Sequence, residues 1–174
     1  MRNWRQRVEL GPFRDFHSTE IPETFADLLW ADPADRSQSN KLMGQARVRL
    51  DRALRYAPLR SEAWLLLAGL ASRYKWPRLE PAEALKMAYY TAPNESRLLP
   101  LRLLIAARSN AIEDSDVQQF VRRDLRLLMA QRQKPAVIEA YQSASPEGKR
   151  FIEQALGEID PTYVGSLRTG MQNP

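Results

Sequence analysis

Apolar residues recur at three- and four-residue steps along most of the chain, the spacing that gathers them on one face of an α-helix. Leu42, Met43, Ala46, Leu50, Ala53, Leu54 and Ala57 make the first strong stripe, and Pro58 stops it. Lys41, Arg47, Arg49, Arg52 and Arg55 fall mostly on the rest of that cylinder. Ser61 then offers an N-cap and Glu62 a favourable first-turn charge. Behind them the run from Ala63 to Ala71 is apolar nearly all round. A helix of that kind must be covered on more than one side, which predicts the buried helix of the fold. Gly69 within it gives up about 1 kcal/mol of helix propensity against alanine, which points to a close neighbour.

Pro81 opens a helix carrying Leu85, Ala88, Tyr89 and Ala92, closed by Pro93. Asn94 is placed to cap the next, through Leu98, Leu101, Leu104 and Ile105 to about Arg108, although Pro100 allows a start at Leu99. Ser115 to Gln118 reads as a capping box, followed by an apolar face of Val117, Phe120, Val121, Leu125 and Leu128. Shorter helices are expected over 135–141 and 146–158, the latter with Phe151, Ile152, Ala155, Leu156 and Ile159 inward and Ser145-Pro146 as cap and first residue. Upstream, 22–30 is a short helical candidate and 1–21 an irregular arm broken at Gly11-Pro12. The tail, 161–174, carries two glycines and little periodicity and is expected to fray. No strand-like alternation appears, so the predicted class is all-α, with a helical domain over 22–160.

Composition narrows the chemistry. A hydrophobic fraction of 44% is enough for a core, and the absence of cysteine removes disulfides, thiolate nucleophiles and cysteine-held metals. Both cytoplasm and periplasm fit. No apolar run approaches the roughly 18 residues of a membrane span. Trp4 among Arg2, Arg5 and Arg7 is a composition found beside membrane interfaces, so a piece following an anchor stands beside the reading of a flexible arm. The net charge of +5, mostly arginine, suits nucleic acid, anionic lipid, an acidic protein or simply a solvated surface. It also points to a bacterial source with a GC-rich genome. No run of five or six basic residues, continuous basic helix or aromatic–basic interleaving is apparent.

Catalytic motifs are missing. The single histidine, His17, lies in the arm near Asp15 without a nucleophile elbow. No phosphate loop, dinucleotide fingerprint or helical Glu-x-x-His occurs. The acidic cluster Glu113, Asp114 and Asp116 coincides with a helix start, where acids stabilise the dipole. A non-enzyme without cofactor or metal is expected.

Internal similarity gives a more specific pattern. In tetratricopeptide repeats, units of 34 residues, the second helix carries a small residue, a bulky one four on, a small one three further, and a proline five beyond. Ala46, Leu50, Ala53 and Pro58 meet that pattern, and Trp64, Leu67 and Ala68 match the first helix of the following unit. Pro93 closes that unit 35 residues after Pro58, with Ala88 and Leu85 in place. Pro81, Ala71 and Arg102 stand where a small residue, a bulky residue and a leucine are expected. The chain therefore resembles the tetratricopeptide-repeat family, clearly over 46–93, in degenerate form over 22–45 and 94–131, and over 132–160 only in its helical-hairpin habit.

The resemblance implies antiparallel hairpins stacked as a short right-handed array that binds a protein or peptide on its concave face. Positions there would include Leu65, Gly69, Arg73, Arg97, Ala107 and Arg108, with Arg73 and either Arg97 or Arg108 gripping an acidic peptide or terminal carboxylate. The plainer alternative has these arginines solvated or bonded to Glu62 and Glu80. Trp76, Tyr89 and Tyr90 are candidate aromatic anchors, although Tyr89 also suits the interior. A basic nucleic-acid binder and a self-associating or membrane-anchored envelope scaffold remain as other functional classes.

Overall fold

Apolar stripes and prolines set the helices between residues 36 and 169. The structure is a computed structural model that describes residues 36–76 and 79–169. The readings placed on 1–35, including His17, Trp4 and the 22–30 helix, lie outside the described residues. Every regular element among those described is helical: α1 (Arg36–Tyr56), α2 (Ser61–Tyr74), α3 (Pro81–Thr91), α4 (Leu99–Arg108), α5 (Ser115–Ala130), α6 (Lys134–Ser143), α7 (Pro146–Ile159) and α8 (Pro161–Thr169), with 3-10 turns at Ser96–Leu98 and Asn110–Glu113. The all-α class is therefore observed. The chain divides into two units, Met1–Pro58 and Leu59–Pro174.

In the first unit, α1 ends as Pro58 requires, with the Ala57 N–H donating to the Ala53 carbonyl at 2.8 Å. Ala46 and Leu50 are buried, while Arg47, Val48, Arg49, Arg52, Arg55 and Tyr56 are exposed.

In the second unit, α2 and α3 pack along one another, and α4 touches α2, α3, α5, α6 and α7. All nine residues from Leu99 to Ala107 are buried. Two helices, α2 and α4, are thus apolar nearly all round, where the sequence pattern points to the first alone. Arg102 is the exception within α4. It is fully buried and donates from Nη2 to the Ala88 carbonyl at 2.9 Å and to the Ala92 carbonyl. The local reason is Pro93, which forces Ala92 out of the helical region and itself carries no N–H, so the last carbonyls of α3 need another donor.

Three expected caps move. The residue before α2 is Arg60, with no side-chain cap, and Ser61 is the buried first residue. Asn94 does not cap α4; its Oδ1 accepts from Arg123 at 2.6 Å, and Leu99 opens the helix after a 3-10 turn. At α5 the cap is Asp114, whose Oδ1 accepts from the N–H groups of Asp116 and Val117 at 2.9 and 3.1 Å. Gln118 turns instead to the Ile112 carbonyl, so the capping box is corrected to a single aspartate one residue earlier. The Ser145 cap of α7 is found as expected, accepting from the Gly148 N–H at 3.0 Å.

The fraying tail is also corrected over 161–169. Asp160 accepts from the Tyr163 N–H at 3.2 Å and Pro161 takes the first position, the same pairing that starts α7. Tyr163 and Leu167, four apart, are buried, and Arg168 pairs with Glu153 of α7. Residues 170–174 lie outside the described residues.

Gly148 brings the start of α7 close against the backbone end of α4. A Cβ there would sit 2.0 Å from the Ala107 carbonyl oxygen, which accepts from the Ser145 N–H at 2.9 Å. Gly69, the glycine singled out by sequence, is buried in α2.

Candidate functional site

Helix ends build a polar cleft within the second unit. Helix α2 terminates when Lys75 adopts the left-handed conformation at φ 47° and donates its N–H to the Ala71 carbonyl. That reversal directs the chain through Trp76 toward Glu80, the residue preceding α3. The C-terminus of α4 meets the same place, with Arg108 in the last turn and Ser109 and Asn110 following. Ser72, Lys75, Trp76, Glu80, Arg108, Ser109 and Asn110, floored by Ala71, Leu79 and Pro81, line a cavity of about 470 Å³. That size falls within the range of ligand pockets and is too small for a folded domain.

The electrostatics are unequal across the lining. Burial lowers the pKa of the Arg108 guanidinium, and the nearby charge of Arg73 lowers it further, with Glu139 acting in the opposite direction. The Glu139 carboxyl is in turn pushed up by burial against the pull of Arg108. Two guanidinium groups are therefore close enough to repel, at the C-terminal ends of α2 and α4, where helix dipoles favour cations. Ser109 is buried and donates to the Ala106 carbonyl at 3.3 Å. Cationic donors beside an amide and hydroxyls can receive a carboxylate or another small anion. Glu80 excludes a uniformly anionic occupant and adds an acceptor for a neighbouring N–H.

The concave set from sequence is only partly brought together. Arg73 and Arg108 do approach. Leu65, Gly69 and Ala107 are buried within the chain. Arg97 bonds Glu95 at 2.9 Å and lies 3.8 Å from Glu62, the solvated alternative, at the far end of α4, roughly 15 Å from Arg108 along the helix. Trp76 and Tyr89 are buried, whereas Tyr90 is 60% exposed and meets Phe120 edge-on at 5.7 Å. Sequence reasoning missed Lys75 and Asn110, whose common signal is position just beyond a helix end, and named Glu80 only as a partner for the arginines.

It also missed a buried polar cluster. The Arg102 guanidinium lies 4.7 Å from the Tyr89 ring, which stacks on Phe120 at 4.6 Å. Asp124 of α5, 1% exposed, is pushed up to about 6 by burial, against the opposing pull of Arg102. The one sequence signal for this cluster is an arginine within the apolar run from Leu98 to Ala107. Among the described residues no three His, Cys, Asp or Glu side chains gather into a metal-holding group, and no helix is long and apolar enough to cross a membrane.

No family model matches the chain, and no curated protein or solved structure shows significant similarity to it.

Proposed function

We propose that the chain is a non-catalytic interaction adaptor of tetratricopeptide-like type, whose cleft at the ends of α2 and α4 takes a carboxylate-bearing segment of a protein partner. The observation that carries this reading is the cavity lined by Lys75, Arg108, Ser109 and Asn110, where the nearby charge of Arg73 disfavours the Arg108 guanidinium. A carboxylate placed against them relieves that repulsion and meets a bidentate donor. The repeat reading is supported by residue spacing over 46–93 and by packing. The extensive contacts of α4 and α5 run to α2 and α3 on one side and to α6 and α7 on the other, the nearest-neighbour pattern of stacked hairpins.

Synthetic peptides ending in Asp or Glu test the cleft. Arg108→Glu is expected to weaken the best of them by about 10- to 100-fold, the range lost with a charge-assisted bond. Arg97→Glu leaves affinity unchanged, since Arg97 serves Glu62 and Glu95. Isothermal titration of both variants decides the matter. Equal affinities for wild type and Arg108→Glu would remove the cleft from consideration.

A further inference from the structure

On α1, the arginines that the sequence pattern sets off the apolar stripe share an exposed surface. With about 100° between successive residues, Ala46 and Leu50 turn inward, and Arg47, Val48, Arg49, Arg52, Arg55 and Tyr56 share the exposed arc. Val48 is 67% and Tyr56 80% exposed. Arg47 lies 4.0 Å from Asp51. Among the described residues no carboxylate pairs with Arg49, Arg52 or Arg55. Elsewhere surface arginines commonly have acidic partners, as in Arg122 with Glu158 and Arg150 with Glu147.

We infer that the exposed face of α1 binds nucleic acid through its phosphates, with Tyr56 available to stack on an unpaired base. Arg49, Arg52 and Arg55 span about 9 Å of helix axis, enough to meet two or three successive phosphates. Guanidinium forks suit phosphate geometry better than ammonium groups do. A lipid surface is the weaker match. Membrane-seated helices bury a continuous apolar face, whereas among the described side chains of α1 Ala46 and Leu50 turn inward and the large apolar groups left exposed are Val48 and Tyr56, with Arg52 between them on the arc. An acidic protein is weaker too, because evenly repeated charge beside an open ring suits a repeating polyanion.

The test uses the full chain, fluorescein-labelled dT oligonucleotide and duplex DNA, and anisotropy between about 50 and 200 mM salt. Wild type should bind both, with a log–log salt slope near −2 on the single strand for three neutralised phosphates. Arg49→Glu, Arg52→Glu and Arg55→Glu combined should cut affinity more than about tenfold and flatten the slope. An equal charge change at Arg126, Arg132 and Arg150 should not. Tyr56→Ala should weaken the single strand about fivefold, leaving the duplex unaffected. Circular dichroism confirms that each variant folds. Equal losses from both triple variants, no binding at the lowest salt, or binding only to phosphatidylserine vesicles would each overturn the inference.

Discussion

Replacing Arg102 with leucine should lower the unfolding free energy by about 3 kcal/mol at pH 7. Two charge-assisted hydrogen bonds to the Ala88 and Ala92 carbonyls disappear, and the Asp124 carboxyl loses the positive charge that opposes its desolvation. The effect should be non-additive. Asp124→Leu added to Arg102→Leu should restore at least about 1 kcal/mol, because it removes the carboxyl left behind. Urea denaturation of the two single variants and the double variant gives the coupling, and strictly additive losses would separate the two residues energetically.

The same cluster makes stability depend on pH. Burial raises Asp124 from 3.8 to about 6, so the folded chain holds a proton that the unfolded chain releases. The contribution is fully present below the unfolded value and is lost as pH rises through 6. Between pH 5 and 7 this amounts to about 1 kcal/mol of lost stability. Asp124→Asn should flatten that interval. Glu95, Asp114, Glu153 and Asp160 are all held below their ordinary values by hydrogen bonds or arginines, so their contribution falls away only at more acid pH.

Gly148→Ala should cost about 3 kcal/mol, against a gain of up to about 1 kcal/mol for Gly157→Ala on the same helix. At Gly148 the added methyl meets Ala107 backbone at 2.0 Å, whereas at Gly157 nothing lies within 4 Å. Backbone cannot swing aside as a flexible side chain does. The start of α7 must therefore shift, loosening the Ser145 N–H bond to Ala107. Thermal unfolding of both variants checks the sign. A neutral Gly148→Ala would mean that the two helices separate cheaply.

Helix type and extent were legible in the sequence because a 3.6-residue period and a proline are local signals. Pro58, Pro81 and Ser145-Pro146 act on the chain beside them, and those boundaries hold. Asp160-Pro161 starts α8 in the same way, within a stretch whose glycines and thin periodicity point away from a helix. What stayed hidden depends on which helix lies against which. Nothing near Gly148 announces the Ala107 carbonyl, and nothing near Arg102 announces Ala92 or Asp124. The cleft was half legible. The resemblance pointed to Arg108, but Lys75 joins it in the lining only because the chain turns back at the end of α2.

The exposed arginines of α1 also bear on how copies of the chain could meet. A two-fold dimer joins one patch to the same patch, so pairing through this face would set Arg49, Arg52 and Arg55 against their own counterparts. Self-association by that route opposes itself at low ionic strength, where charges are felt over tens of ångströms. Added salt or a bridging polyanion would lift the barrier. A dimer that tightens as salt rises would have α1 at its seam, and one that ignores salt would be built elsewhere.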